Sequence, residues 1–170
     1  MKELYEHLKK DHHKVGIISE QTDFPQDYKD ALVELSKDST PKILEENFLP
    51  ETKDYRAMFL RLRAKNIDGL ILNSQAEAGL VRLVKQLSSI QWKVPIFSNF
   101  YPSSPSFLNA VGDLANGIVF NDAPPLAAVV TKDGKKLYDE YYEIYGEPKS
   151  SELYFVTTLL AFQALDSAIL

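Results

Sequence analysis

Three times before residue 101, a short run rich in Val, Ile and Leu ends in small or polar residues and gives way to a stretch of helical periodicity. The runs are Lys14–Ser19 (KVGIIS), Asp68–Ser74 (DGLILNS) and Val94–Asn99 (VPIFSN); a fourth, Gly117–Asn121 (GIVFN), comes later. Continuous apolar runs of this length, separated by helices, read as parallel strands buried on both faces and joined by βαβ crossovers. The fold class that follows is α/β: a three-layer α/β/α, Rossmann-like body around a mainly parallel sheet. In open sheets of that kind, ligands bind where the carboxyl ends of the strands open into loops. The places to look are therefore Ser19–Pro25, Asn73–Glu77, Ser98–Ser104 and Asn121–Pro125.

Between the runs, Leu4, Tyr5 and Leu8 mark a first helix, and Ile43–Phe48 reads as a further strand. The segment Glu20–Gln26, carrying Asp23, Phe24 and Pro25, reads as a loop before a helix over Gln26–Lys37. Asp54 is placed to cap the next helix, since its carboxylate can accept a free N–H of the first turn. Asn66 is a helix stop. Helices are expected over Ala76–Ser88, Pro105–Val111 and Lys132–Tyr145, with a turn at Ala123–Leu126 and a sharp stop at Gly146-Glu147-Pro148.

The chain has 170 residues, enough for one domain that buries roughly 70% of the surface its unfolded form exposes. It contains no cysteine, which excludes thiolate zinc sites, iron–sulfur clusters and thiol nucleophiles. The net charge is −5, and the short basic run Lys132–Lys136 is interrupted by Asp133. That argues against a nucleic-acid or anionic-membrane footprint. Met1 is followed by Lys2, Glu3 and a helix pattern, so no signal peptide is expected in this chain. Leu153–Leu170 is strongly apolar, but Gln163 and Asp166 would be costly in lipid. Phe155, Leu159, Phe162, Leu165 and Ile169 repeat at helical spacing, which predicts a buried amphipathic helix rather than a membrane span.

Catalytic patterns are sparse. The sequence has no G-x-G-x-x-G, no phosphate-binding G-x-x-x-x-G-K, no G-x-S-x-G and no H-E-x-x-H. His12 and His13 are adjacent at a helix end and point apart, a poor chelate, so no metal site is expected. Glu45-Glu46 and the pair Glu20/Asp23 read as surface carboxylates rather than an acid–base pair. The tyrosines at 138, 141, 142 and 145 form a helical stripe, read as core and rim.

The order and spacing of several pieces resemble the second lobe of type I periplasmic binding proteins, in particular the leucine/isoleucine/valine-binding type that serves branched-chain amino-acid ABC transporters. The pieces are KVGIISEQTDFPQ (14–26), LPETKDYRAMFLRL (49–62), KNIDGLILNS (65–74), VPIFSN (94–99), GDLANGIVF (112–120) and YDEYYEIYGEP (138–148). The resemblance implies a second lobe over residues 1–148. Residues 149–170 would then be a hinge crossing and a helix belonging to a first lobe. It implies a small polar ligand, an amino acid or a relative, held in an interlobe cleft without turnover or cofactor. A membrane permease and the first lobe would be the partners, in a periplasmic or extracytoplasmic setting.

Carried over residue by residue, Phe24 sits where the family commonly packs an aromatic on the ligand, with Asp23 beside it. Ser74 and Gln75 fall near a second contact, though Gln75 is not aromatic. Asn99, followed by Phe100, falls where amino-acid binders place a carboxylate for the ligand's ammonium. Asn is neutral and can offer hydrogen bonds but no charge. Read from the residues alone, Phe24 also fits loop packing, Asn99 a strand-end turn, and Ser74 and Gln75 capping. Three other functions remain open at this point. One is a ligand-sensing domain of a receptor or regulator, another a small doubly wound enzyme. The third is a free-standing interaction domain that dimerises through Tyr154–Leu170.

Overall fold

A computed structural model describes residues 2–122, 131–146 and 152–169. The expected turn at Ala123–Leu126 lies outside the described residues. The first helix, α1 (Lys2–Asp11), leads into β1 (Lys14–Glu20), α2 (Asp23–Ser36) and β2 (Lys42–Phe48). Then come α3 (Arg56–Ala64), β3 (Gly69–Asn73), α4 (Glu77–Ser89) and β4 (Ile96–Ser98). A 3₁₀ turn at Tyr101–Ser103, α5 (Pro105–Val111), a second 3₁₀ turn at Gly112–Ala115 and the short β5 (Val119–Phe120) follow. Two further helices are α6 (Lys132–Tyr145) and α7 (Glu152–Ile169).

The five strands form one parallel sheet in the order β2-β1-β3-β4-β5. Ile17 pairs with Ile71 across β1 and β3, and Ile71 with Phe97 across β3 and β4. Alternation along the strands sorts the apolar side chains onto two faces. On one face Ile18, Leu70 and Leu72 pack with Phe59 and Leu62 of α3, Leu80, Leu83 and Leu87 of α4, and Phe107 of α5. On the other, Val15, Ile17, Ile71 and Phe97 pack with Leu4, Tyr5 and Leu8 of α1 and Tyr28 and Leu32 of α2. This is the expected α/β/α layering. Close approach of α3 to the sheet needs Gly16, where an added Cβ would meet the side chains of Ile67 and Leu62.

The chain reverses its direction of travel across the sheet at β1. It passes to β2 on one side, then crosses back beyond β1 to β3. The crevice between the carboxyl ends of β1 and β3 is thus the topological switch point, flanked by α2 and α4 on opposite faces.

Two elements differ from the sequence reading. Helix α2 begins at Asp23, not Gln26, so Asp23, Phe24 and Pro25 form its first turn. Proline is compatible with that turn because its missing N–H has no helical partner there. Helix α7 forms over the expected span, but Phe162 is 67% and Leu165 58% exposed, so these positions are not the buried face the spacing predicts. Leu159 and Ile169 lie outside the described side chains. No helix is long and apolar enough to cross a membrane among the described residues.

At the amino end of the sheet, Asp68 ties two strands together. Its carboxylate accepts the backbone N–H of His13 at 2.8 Å and of Lys14 at 3.1 Å. Partial burial works to raise its pKa, but these two donors and the nearby His12 hold it below the ordinary aspartate range. A depressed folded-state pKa adds stability that is present above the unfolded value of about 3.9 and is lost as pH falls through the folded one. Asp68→Asn is therefore expected to flatten the loss of Tm between about pH 5 and pH 3. Identical Tm–pH profiles for the two proteins would show that Asp68 carries no such linkage.

Candidate functional site

Strand ends at the carboxyl edge leave polar groups that must be satisfied where side chains bury them. Ser19, Asn73, Ser74, Ser98 and Asn99 are all fully buried here. The Asn73 amide donates to Ser19 Oγ at 3.0 Å and to the Pro25 carbonyl at 2.7 Å. Ser19 donates to the same carbonyl at 3.0 Å. The Asn99 amide donates to Asn73 Oδ1 at 3.1 Å and to the Ser74 carbonyl at 2.7 Å. Ser98 reaches the Leu72 carbonyl. A continuous polar belt thus runs across the ends of β1, β3 and β4 and fastens the first turn of α2 through Pro25.

Glu20 anchors the other side of the crevice. It is only 8% exposed, so the expectation of a surface carboxylate is corrected. Its Oε2 accepts the Ser74 hydroxyl at 2.7 Å and the Gln75 N–H at 2.9 Å. This places an anion at the loop that opens α4, whose N-cap Ala76 has no capping side chain. An added Cβ at Gly79, one turn into α4, would collide with Ser74 Oγ, so glycine lets the helix close onto this bond. From the 3₁₀ turn after β4, the Tyr101 hydroxyl donates to the Gln75 carbonyl at 2.6 Å. Burial, a hydrogen bond with Tyr154, and the charges of Glu77 and Glu20 all push the Tyr101 phenol above its usual range.

Above this belt lies an exposed rim. Phe24 stands at the start of α2, with its ring centroid 5.5 Å from Phe100 and 6.2 Å from Tyr28. Tyr28 is buried, which raises its phenol, and it donates to Asn121 Oδ1 at 2.8 Å. Thr22 reaches the Gln75 side chain at 3.3 Å, bridging the two sides of the switch point. An open groove beside them is lined by Gln21, Thr22, Asp23, Gln26 and Asp27.

The six residues singled out from sequence therefore gather at one end of the sheet but divide in two. Asp23, Phe24, Gln75 and Phe100 reach the surface, whereas Ser74 and Asn99 are enclosed with their hydrogen bonds made inside the protein. Sequence reasoning passed over Tyr101 and Glu20. The available signal for Glu20 was its place as the last residue of a strand buried along nearly its whole length. Among the described residues, no group of three or more His, Asp and Glu side chains is placed to hold a metal ion.

The division predicts opposite responses to truncation. Asn99→Ala strands buried partners in Asn73 and Ser74 and should cost about 1–3 kcal/mol of stability. Phe24→Ala, at the exposed rim, should cost under about 1 kcal/mol. Urea unfolding of the two variants measures this; an Asn99→Ala midpoint equal to the parent's would contradict the belt.

Comparison with known proteins bears on this geometry. A family model described as periplasmic binding protein matches residues 1–168. Comparison with curated proteins gives no match. Among solved structures, an extracellular ligand-binding receptor from Rhodopseudomonas palustris HaA2 superposes with a TM-score of 0.79 at 22% identity, over 96% of this chain and 48% of that one. A leucine binding protein from Thermotoga maritima MSB8 gives 0.73 at 14% identity, over 87% and 43%. A fatty acid ABC transporter substrate-binding protein from Thermomonospora curvata gives 0.65 at 20% identity, over 84% and 37%. This chain spans less than half the length of each of these proteins. At these identities the superpositions establish the fold, and the family match extends over nearly every residue. The chain belongs to the periplasmic binding protein family, and its parallel five-stranded sheet with flanking helices is the α/β lobe of the type I members.

Proposed function

We propose that residues 1–148 act as the second lobe of a solute-binding protein of an ABC transporter. The lobe closes, with an opposing lobe, over a small polar ligand that it holds without turnover. The observation that carries this reading is the pairing of a satisfied, buried belt with an exposed aromatic rim at the switch point. Ser19, Asn73 and Asn99 have spent their hydrogen bonds on one another and on backbone, which keeps the strand ends rigid. Phe24, Gln75 and Phe100 stand above them as the surface a ligand meets. A rigid base with an adaptable rim suits closure over a ligand, because ordering costs at binding are small.

The charges at the mouth support a ligand class. Helix N-termini attract anions. Here the first turn of α2 carries Asp23 and that of α4 carries Glu77, and the loop before α4 already receives Glu20. Asp122 adds a further carboxylate beside Ser103. With the N-termini occupied by the chain's own acids, the lobe disfavours an anionic group and suits a neutral or cationic one, with an apolar part on Phe24 and Phe100. The ammonium and side chain of an amino acid match that demand, and Asn99, being enclosed, plays no direct part. The permease partner, the opposing lobe and an extracytoplasmic setting belong to the same reading, supported by the family match and by relatives described as ABC transporter substrate-binding proteins.

The test is a titration of the chain by heteronuclear NMR with L-leucine, L-lysine and, as an anionic control, acetate. The expected result is millimolar binding of an amino acid, with shifts confined to the backbone of 22–26, 75–77 and 99–101. Acetate should produce none there, and Phe24→Ala should weaken the response more than tenfold. Shifts centred elsewhere, or a preference for acetate at the mouth, would overturn the assignment.

A further inference from the structure

Two charged residues are buried among the described residues, Lys29 and Glu20. Burying a charge is costly unless it is paired. Lys29 obeys this: its ammonium lies 3.2 Å from Glu45 Oε2 and 3.3 Å from Asp30 Oδ1. Glu46, whose side chain is 13% exposed, likewise meets the Arg61 guanidinium at 2.6 Å. Glu20 does not. Among the described residues, no Lys, Arg or His forms an ion pair with it.

The hydrogen bonds of this carboxylate are also one-sided. Oε2 accepts both the Ser74 hydroxyl and the Gln75 N–H, and Oε1 accepts nothing. Every fully enclosed side-chain nitrogen or oxygen among the described residues has a partner. Oε1 is therefore not sealed in: it borders solvent at the carboxyl end of β1, beside the loop that follows β3. The amino end of α4 does not supply the missing charge. A helix dipole offers about half a positive charge, and Glu77 in the first turn draws on the same half. Burial and a bond with Tyr154 raise the Tyr101 phenol, and the charges of Glu77 and Glu20 raise it further. A corner that holds a phenol protonated also favours a cation. The two bonds to Oε2 fix the carboxylate in advance, so little freedom is lost on contact. Asp23 and Asp27 are exposed, where water and salt weaken a pair that the enclosed seat of Glu20 would strengthen.

We propose that the missing counter-charge is the ligand's: Glu20 Oε1 receives an ammonium group, and the solute taken at this mouth is a protonated amine. The inference rests on the solute-binding reading and adds to it the atom that meets the charge. The experiment is a heteronuclear NMR titration of the chain with 3-methylbutylamine, which is protonated at neutral pH, and with the neutral 3-methylbutan-1-ol. The two share an apolar tail and differ in charge. The chain should bind the amine more than about tenfold tighter, in keeping with a hydrogen bond to a charged group. Glu20→Gln keeps an acceptor for Ser74 and Gln75 but no charge. It should bind the alcohol as the parent does and lose the preference for the amine. In the parent chain the Glu20 side-chain carboxyl carbon should shift with the amine and not with the alcohol, a readout that needs no substitution. A preference for the amine that survives in Glu20→Gln would overturn the inference and leave the solute-binding reading standing. So would a Glu20 carboxyl signal that stays still while residues 75–77 and 99–101 respond to the amine. Response to neither probe would also overturn it, and the solute-binding reading would fall with it only if L-leucine too left the mouth unmoved.

Discussion

The hydrogen bonds that Glu20 accepts from Ser74 and Gln75 hold the two halves of the switch point together. Parallel strands end together at the carboxyl edge of the sheet, and their last polar groups fall between helices that come from opposite faces. Buried without partners, each such group would cost about 1–3 kcal/mol. The structure meets this by making the loops bond to one another. Glu20 of β1 takes the loop after β3, Asn73 takes the first turn of α2, Asn99 takes the loop after β3 again, and Tyr101 closes over Gln75. Gly79 is required because the space its Cβ would fill is held by Ser74.

The buried belt has its hydrogen bonds made within the protein, so under the proposed reading contact with a ligand falls to the rim: an aromatic pair, an amide side chain and helix N-termini that already carry Asp23, Glu20 and Glu77. Relatives of the same fold are described as binding leucine in one case and fatty acid in another. A shared fold therefore leaves the ligand open, since function resides in the site grafted onto the fold.

The strands and helix faces were legible because periodicity reports burial directly: KVGIIS and DGLILNS admit few environments other than a two-sided sheet interior. Pro25 misled the reading of α2, because proline signals a loop unless it falls in a first turn, where it costs nothing. The loops at the strand ends were legible from periodicity, and within them it was the resemblance to the family that singled out Phe24, Gln75 and Phe100. The enclosure of Ser74 and Asn99 could not be read, because it depends on partners 25 to 54 residues away in sequence. Glu20 is the sharpest case: its place at the end of a buried strand hints at enclosure, but only the fold brings Ser74 and Gln75 to it. The exposure of Phe162 and Leu165 was equally hidden, since helical spacing shows that a face is apolar but not what covers it.

Hydrogen exchange at the Gln75 amide tests the central claim most directly. Gln75 has an exposed side chain in a loop, where an amide free of partners would exchange within the intrinsic range. Its N–H is bonded to a buried carboxylate, so the account predicts exchange slowed to the level of the β3 amides, opening only with the sheet. Exchange at the rate of a solvated loop would contradict it, and the strand ends would then be a flexible edge rather than a rigid, internally bonded floor.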